Sequence, residues 1–141
     1  DPEEEHDCFS DNTHNSHFYD QVGMMNVYLG RYVRVDGSTV KGPSLSDLVK
    51  ARDAKLDAEM HAKLDATLTA MEALRQRAAT VETYDQMIAQ GNEKGNAVVQ
   101  AVIDGLVAQT RTIERVIAAL EVGDVQIEGS DSLDNPNAIF Q

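Results

Sequence analysis

The chain has 141 residues, a formal net charge of −12, 42% hydrophobic residues and no tryptophan. That is the size of one domain able to bury an ordinary core. Its acidity argues against nucleic acid and anionic membrane surfaces, leaving cations, basic partners or neutral ligands.

The chain opens on Asp1-Pro2 without an initiator methionine, and neither a signal peptide nor an apolar run of spanning length is present. A processed or partial chain is the expectation. Cys8 is the single cysteine, so a disulfide requires a thiol from another chain or from the rest of a parent protein.

Residues 3–17 hold three of the four histidines and the cysteine. Glu3, Glu4, Glu5, Asp7 and Asp11 crowd beside Ser10, Asn12, Thr13 and Asn15. Carboxylates and imidazoles bind hard and borderline cations, move protons and accept hydrogen bonds, so function is placed here. Ser10, Asp11, Asn12 and Thr13 are also helix-capping types, and a polar link ending in an N-cap is the competing reading. His14 and His17 stand at i and i+3. On a helix both could reach one metal, with Glu5, His6 or Asp11 completing the shell. The sequence has no His-Glu-x-x-His and no glycine-rich phosphate loop. Ser10 lacks a glycine-flanked elbow, and the acids beside Cys8 disfavour a thiolate nucleophile.

The first helix is expected from Asn12 or Thr13 to Tyr32, with Phe18, Val22, Met25, Leu29 and Tyr32 on one face. Two β-branched runs flanking Asp36-Gly37 predict a hairpin or an irregular excursion. A lone ribbon is marginal and would have to lean on the helices. Ser44 and Asp47 mark a helix start. Asp53 caps the next long helix, to about Ala78, with Leu56, Met60, Leu64, Leu68 or Thr67, Met71 and Leu74 as its stripe. Asp57 and His61 are one turn apart and could pair. Residues 80–91 read as a connection in which Tyr84, Met87 and Ile88 plug the core. From an Asn92 cap, the series Val99, Ile103, Leu106, Thr110, Ile113, Ile117, Leu120 marks the last helix, with Gly123 as its stop. Gly105 lets another backbone come close. Residues 124–141 read as an extended polar tail, with Ile139 and Phe140 free to dock. The fold class is all-α: a helical bundle over residues 1–123 with a small β-hairpin. Three long helices leave the usual fourth wall of a bundle unfilled, unless residues 2–10 add a stub or a partner segment supplies it.

The run Glu5-His6-Asp7-Cys8-Phe9-Ser10-Asp11-Asn12-Thr13-His14, then Asn26-Val27-Tyr28-Leu29-Gly30 and Gly42-Pro43-Ser44-Leu45-Ser46-Asp47-Leu48-Val49, closely resembles the imelysin-like proteins. These are also called iron-regulated outer-membrane proteins or insulin-cleaving metalloproteinases. Beyond Ala51 the likeness is one of helix pattern and order. The resemblance implies a protein of the periplasm or outer membrane of a Gram-negative bacterium. It also implies a pair of helical bundles with a site in the cleft between them. The family hallmark Gly-x-His-x-x-Glu belongs to the N-terminal half and is absent from this sequence. The chain is therefore similar to the C-terminal half, and the N-terminal half of the same parent is its implied partner.

On that resemblance, the first functional expectation is a protein of iron acquisition that binds a metal (iron or zinc) or a metal-bearing ligand between two bundles. A metallopeptidase is the alternative, and a structural interaction bundle the third. The candidate cleft residues are Glu5, Ser10, Asp11, Asn12 and His14, with His6 and His17 in reserve. Cys8 is the candidate for an interchain disulfide.

Overall fold

A computed structural model describes residues 5–122. In chain order they form α1 (Thr13–Leu29), β1 (Arg31–Val33), β2 (Thr39–Lys41), α2 (Leu45–Arg52), α3 (Ala54–Thr80), α4 (Tyr84–Ile88) and α5 (Glu93–Leu120). The three long helices α1, α3 and α5 make an all-α bundle, with α3 packed against both of the others.

The helix starts follow their capping chemistry. Ser44 and Asp47 form a reciprocal capping box at α2. The Asp53 carboxylate accepts from the Lys55 and Leu56 N–H groups at α3, and the Asn92 side chain accepts from Gly95 N at α5. At α1 the N-cap is Asn12, but its side chain makes no capping bond. It accepts instead from Asn15 Nδ2 at 2.9 Å.

α1 ends at Leu29, short of the expected Tyr32. Gly30 turns left-handed (φ 58) and its N–H points back to Asn26 O and Val27 O. A Cβ at Gly30 would lie 2.8 Å from Gly42 O, so only glycine fits both the turn and the approach. Arg31 to Val33 then pair antiparallel with Thr39 to Lys41. The ribbon does not lean on the helices as expected: both strands are exposed throughout. It is fastened at its base by Gly42 N donating to Gly30 O at 2.9 Å. Its loop is closed by Asp36 Oδ1, which accepts from Ser38 N at 2.8 Å. The connection after α3 holds a short helix, α4, whose Tyr84 and Met87 are buried in the core as expected.

Two apolar clusters fill the bundle. One gathers Met25, Tyr28, Val49, Leu56, Met60, Leu64 and Val116. The other gathers Met71, Leu74, Tyr84, Met87, Val99, Val102 and Ile103. Between them in sequence, on each long helix, come buried polar residues: Gln21 on α1, Thr67 on α3, Gln109 and Thr112 on α5. Gln21 Nε2 donates to Gln109 Oε1 at 2.8 Å and to Leu64 O at 3.1 Å. The threonine hydroxyls bond back to Lys63 O and Ala108 O in their own helices. Each hydroxyl and amide nitrogen of this layer thus has a partner, whereas Gln21 Oε1 is buried without one among the described residues.

This layer rotates α1 from the expected face. Its buried residues are Thr13, Gln21, Met25 and Tyr28, while Phe18, Val22 and Leu29 are only partly covered. Gly105 faces Thr67, whose Cα would stand 3.3 Å from an added Cβ, so the close approach of α3 and α5 follows from that glycine. The residues expected as a polar tail, 124–141, and the Gly123 stop lie outside the described residues. Within them α5 ends at Leu120, and Glu121 takes the left-handed position (φ 56).

Candidate functional site

The segment before α1 folds back on the first turn of that helix. Thr13, 1% exposed, ties it down: its hydroxyl donates to Glu5 Oε2 at 2.7 Å and accepts from Asp7 N at 3.0 Å. Ser16 Oγ donates to Asp7 Oδ2. Ser10 closes a turn, its N donating to Asp7 O at 3.1 Å and its Oγ to the same oxygen at 3.3 Å. Two of the segment's acids therefore serve as acceptors that hold it in place.

The candidate residues fall into three places. His6 approaches His17 with ring centroids 5.9 Å apart, and His17 meets Tyr84 edge-on at 6.2 Å. Burial, and then the neighbouring His6, hold His17 below the ordinary histidine pKa. Burial, with the Glu5 charge adding to it, pushes the Tyr84 phenol up to about 12. Glu5, His6 and His17 thus share one corner.

His14 and Asn15 occupy a second place, against α3. Asn15 Oδ1 accepts from Arg75 Nε at 2.9 Å, which orients the Asn15 amide so that its Nδ2 faces His14 Nε2 at 3.1 Å. An amide nitrogen can only donate, so His14 Nε2 accepts. In the neutral ring the proton then sits on Nδ1, which is buried and has no partner among the described residues. Arg75 also stacks on Phe18, 4.1 Å from the ring centroid, and reaches Glu72 Oε2 at 3.1 Å.

Ser10 and Asp11 make the third group. Both are exposed, and Asp11 holds φ 49 at the turn into the helix. Cys8 is exposed and free, open to a thiol on another chain.

Two grooves meet along Asn15 and Arg75. One, of about 630 Å³, is lined by His6, Asn12, Asn15, Ser16, Tyr19, Asp20 and Arg75. The other, of about 460 Å³, is lined by His14, Asn15, Glu72, Arg75, Gln76 and Ala79. Ser10 and Asp11 line neither. Arg75 and Tyr19 escaped the sequence reading because they are ordinary surface types on helices. The signal that could have marked Arg75 is its position on α3 one turn beyond Met71, beside the buried stripe.

Among the described residues no three His, Cys, Asp or Glu side chains converge as a metal-ligand set. The described residues by themselves therefore do not complete a metal shell. What they present is a polar wall with hydrogen-bond donors and an imidazole pair.

A separate polar cluster sits at the base of α2. Asp57 Oδ1 accepts from Tyr28 OH at 2.9 Å and from Ser46 Oγ at 2.7 Å, and His61 Nε2 lies 2.8 Å from Ser46 Oγ. The expected Asp57–His61 pair is present at 3.4 Å. It fastens α1 and α2 to α3.

Compared with known families, the chain matches a family model described as imelysin, of peptidase class M75, over residues 1–113. No curated protein matches it.

Proposed function

The chain belongs to the imelysin family, and from that premise we propose that it serves bacterial iron acquisition by holding a metal-bearing ligand in a polar cleft between its own bundle and a second one. The observation that carries this reading is His14 Nδ1, a buried hydrogen-bond donor with no acceptor among the described residues. A buried polar group left unpaired costs about 1–3 kcal/mol, and an incoming acceptor removes that cost. A ligand that brings oxygen atoms of its own fits His14 and Arg75 better than a bare ion does. A chelate also carries most of its metal's donors with it, and so asks for no full ligand set from the described residues.

The second bundle is the N-terminal half of the same parent, and the setting is the periplasm or the outer-membrane surface. Among the described residues no helix is long and apolar enough to cross a membrane, which accords with a peripheral position. Equilibrium dialysis of the complex of this chain with that half, against ferric citrate, ferric ion and zinc ion in turn, tests the reading. Retention of ferric citrate without peptide cleavage supports it. Peptide cleavage that a chelator abolishes would assign a metallopeptidase instead. Neither binding nor cleavage would leave a structural interaction bundle.

A further inference from the structure

Helices α3 and α5 run antiparallel, and two contacts fix the register of their seam. Glu59 of α3 pairs with Arg115 of α5 at 2.6 Å. About two turns farther along α3, Thr67 Cα would stand 3.3 Å from a Cβ at Gly105, so the helices come close there. Between the two contacts, one turn on along α3 and one turn back along α5, lie Lys63 and Arg111. A groove of about 330 Å³ opens at this level, lined by both cations together with Arg115 and Glu59. It stands on the opposite helix pair from His14 and is independent of that site.

The rung formed by Lys63 and Arg111 is like-charged. One turn away the same two helices match an acid with a base. Among the described residues neither Lys63 nor Arg111 forms an ion pair. The sequence has 24 acids against 12 lysines and arginines, so an acid is the commoner residue to find opposite a lysine. Arg111 and Arg115 also follow each other at i and i+4, a spacing at which like charges repel. With Glu59 committed to Arg115, the groove keeps the two positive charges of Lys63 and Arg111. Thr112, 2% exposed, lines it too, but its hydroxyl is given to Ala108 O at 3.1 Å. The two cations are therefore the donors left to a ligand. The acidity of the whole chain does not decide the matter, because exposed charges more than about 8–10 Å away are largely screened at physiological salt.

We propose that this groove binds a phosphate group, held between the Lys63 ammonium and the Arg111 guanidinium. A phosphate monoester carries about −1.5 to −2 charges at pH 7 and three acceptor oxygens, which matches two cations facing each other from separate helices. Arginine meets two of those oxygens with its planar fork, and lysine adds a point charge. A carboxylate would leave one of the two charges unmatched. A nucleic acid would need a basic stripe longer than this one rung.

Calorimetric titration of the full chain with inorganic phosphate and with glycerol phosphate, at ionic strength held constant with chloride, tests this. One phosphate group should bind per chain. Binding of both compounds would identify the ligand as the phosphoryl group of a larger molecule, and binding of inorganic phosphate alone as the free ion. A Lys63→Gln, Arg111→Gln variant should bind at least about tenfold more weakly, through loss of both charge-assisted contacts. Arg111 is exposed and Lys63 half-buried, so the variant should keep the fold. Thermal melts give an independent reading. Replacing chloride by phosphate should raise the melting temperature of the native chain and leave that of the variant unchanged. No binding by the native chain would overturn the proposal, and so would equal binding, or an equal melting shift, in the variant.

Discussion

The side-chain amides of Gln21 on α1 and Gln109 on α5 meet at 2.8 Å inside the bundle, at 0% and 1% exposure. Gln21 Nε2 also supplies Leu64 O, so one amide group joins all three long helices. Gln21→Leu would leave the buried Gln109 Oε1 without its donor, whereas Leu64 O keeps its intrahelical bond, and unfolding in urea should show a loss of about 1–3 kcal/mol. Adding Gln109→Leu removes that orphan and replaces it with an apolar group of similar volume, so the double variant should recover part of the loss. A single variant as stable as the native chain would show that the layer contributes nothing.

Two helical glycines should respond to alanine with opposite signs. At Gly95 a Cβ would lie 2.6 Å from Met87 Cα and 2.8 Å from Met87 O. Those are backbone atoms of α4 and cannot swing away. The gain in helix propensity is about 1 kcal/mol, whereas forcing atoms into a packed site costs about 1–3 kcal/mol or more. Gly95→Ala should therefore destabilise. At Gly23 nothing lies within 4 Å, and Gly23→Ala should raise the melting temperature by the propensity term alone. Equal shifts at the two positions in a thermal melt would contradict the packing of α4 on α5.

The depressed pKa of His17 makes stability depend on pH. Its folded-state pKa lies below the ordinary 6.5, so the unfolded chain takes up this proton first as the pH falls. The contribution is fully present above about pH 6.5, and is lost progressively as the pH falls from there to the folded pKa. A His17→Gln variant should lose this part of the slope. Urea midpoints between pH 7.5 and 5 measure it, and an identical slope in the variant would mean that His17 is not buried in neutral form.

Much of the fold was legible because local chemistry and tertiary structure agree. The caps at Ser44, Asp53 and Asn92, the plug of Tyr84 and Met87, and the close approach at Gly105 were each written in the residue types. The inward face of α1 was not. An apolar-periodicity argument counts Phe18 and Val22 and passes over Gln21 and Tyr28, whose burial depends on partners far along the chain: Gln109 for the one and Asp57 for the other. The candidate site was legible as a stretch rather than as a geometry. Its density of polar residues marked the segment from Glu5 to His17, but the roles are divided by bonds no spacing rule encodes. Glu5 is engaged by Thr13 and Asp7 by Ser16. Asn15 and Arg75, sixty positions apart, form the ridge between the two grooves.

The central claim is that His14 meets a ligand, and calorimetric titration of ferric citrate into the two-half complex tests it most directly. His14→Ala should weaken binding at least about tenfold, roughly 1.4 kcal/mol, with the melting temperature nearly unmoved. His14→Ala removes the acceptor at Nε2, but Asn15 Nδ2 keeps Asn12 Oδ1 and the Asn15–Arg75 bond remains. Binding of ferric citrate to the His14→Ala variant with native affinity would contradict the account.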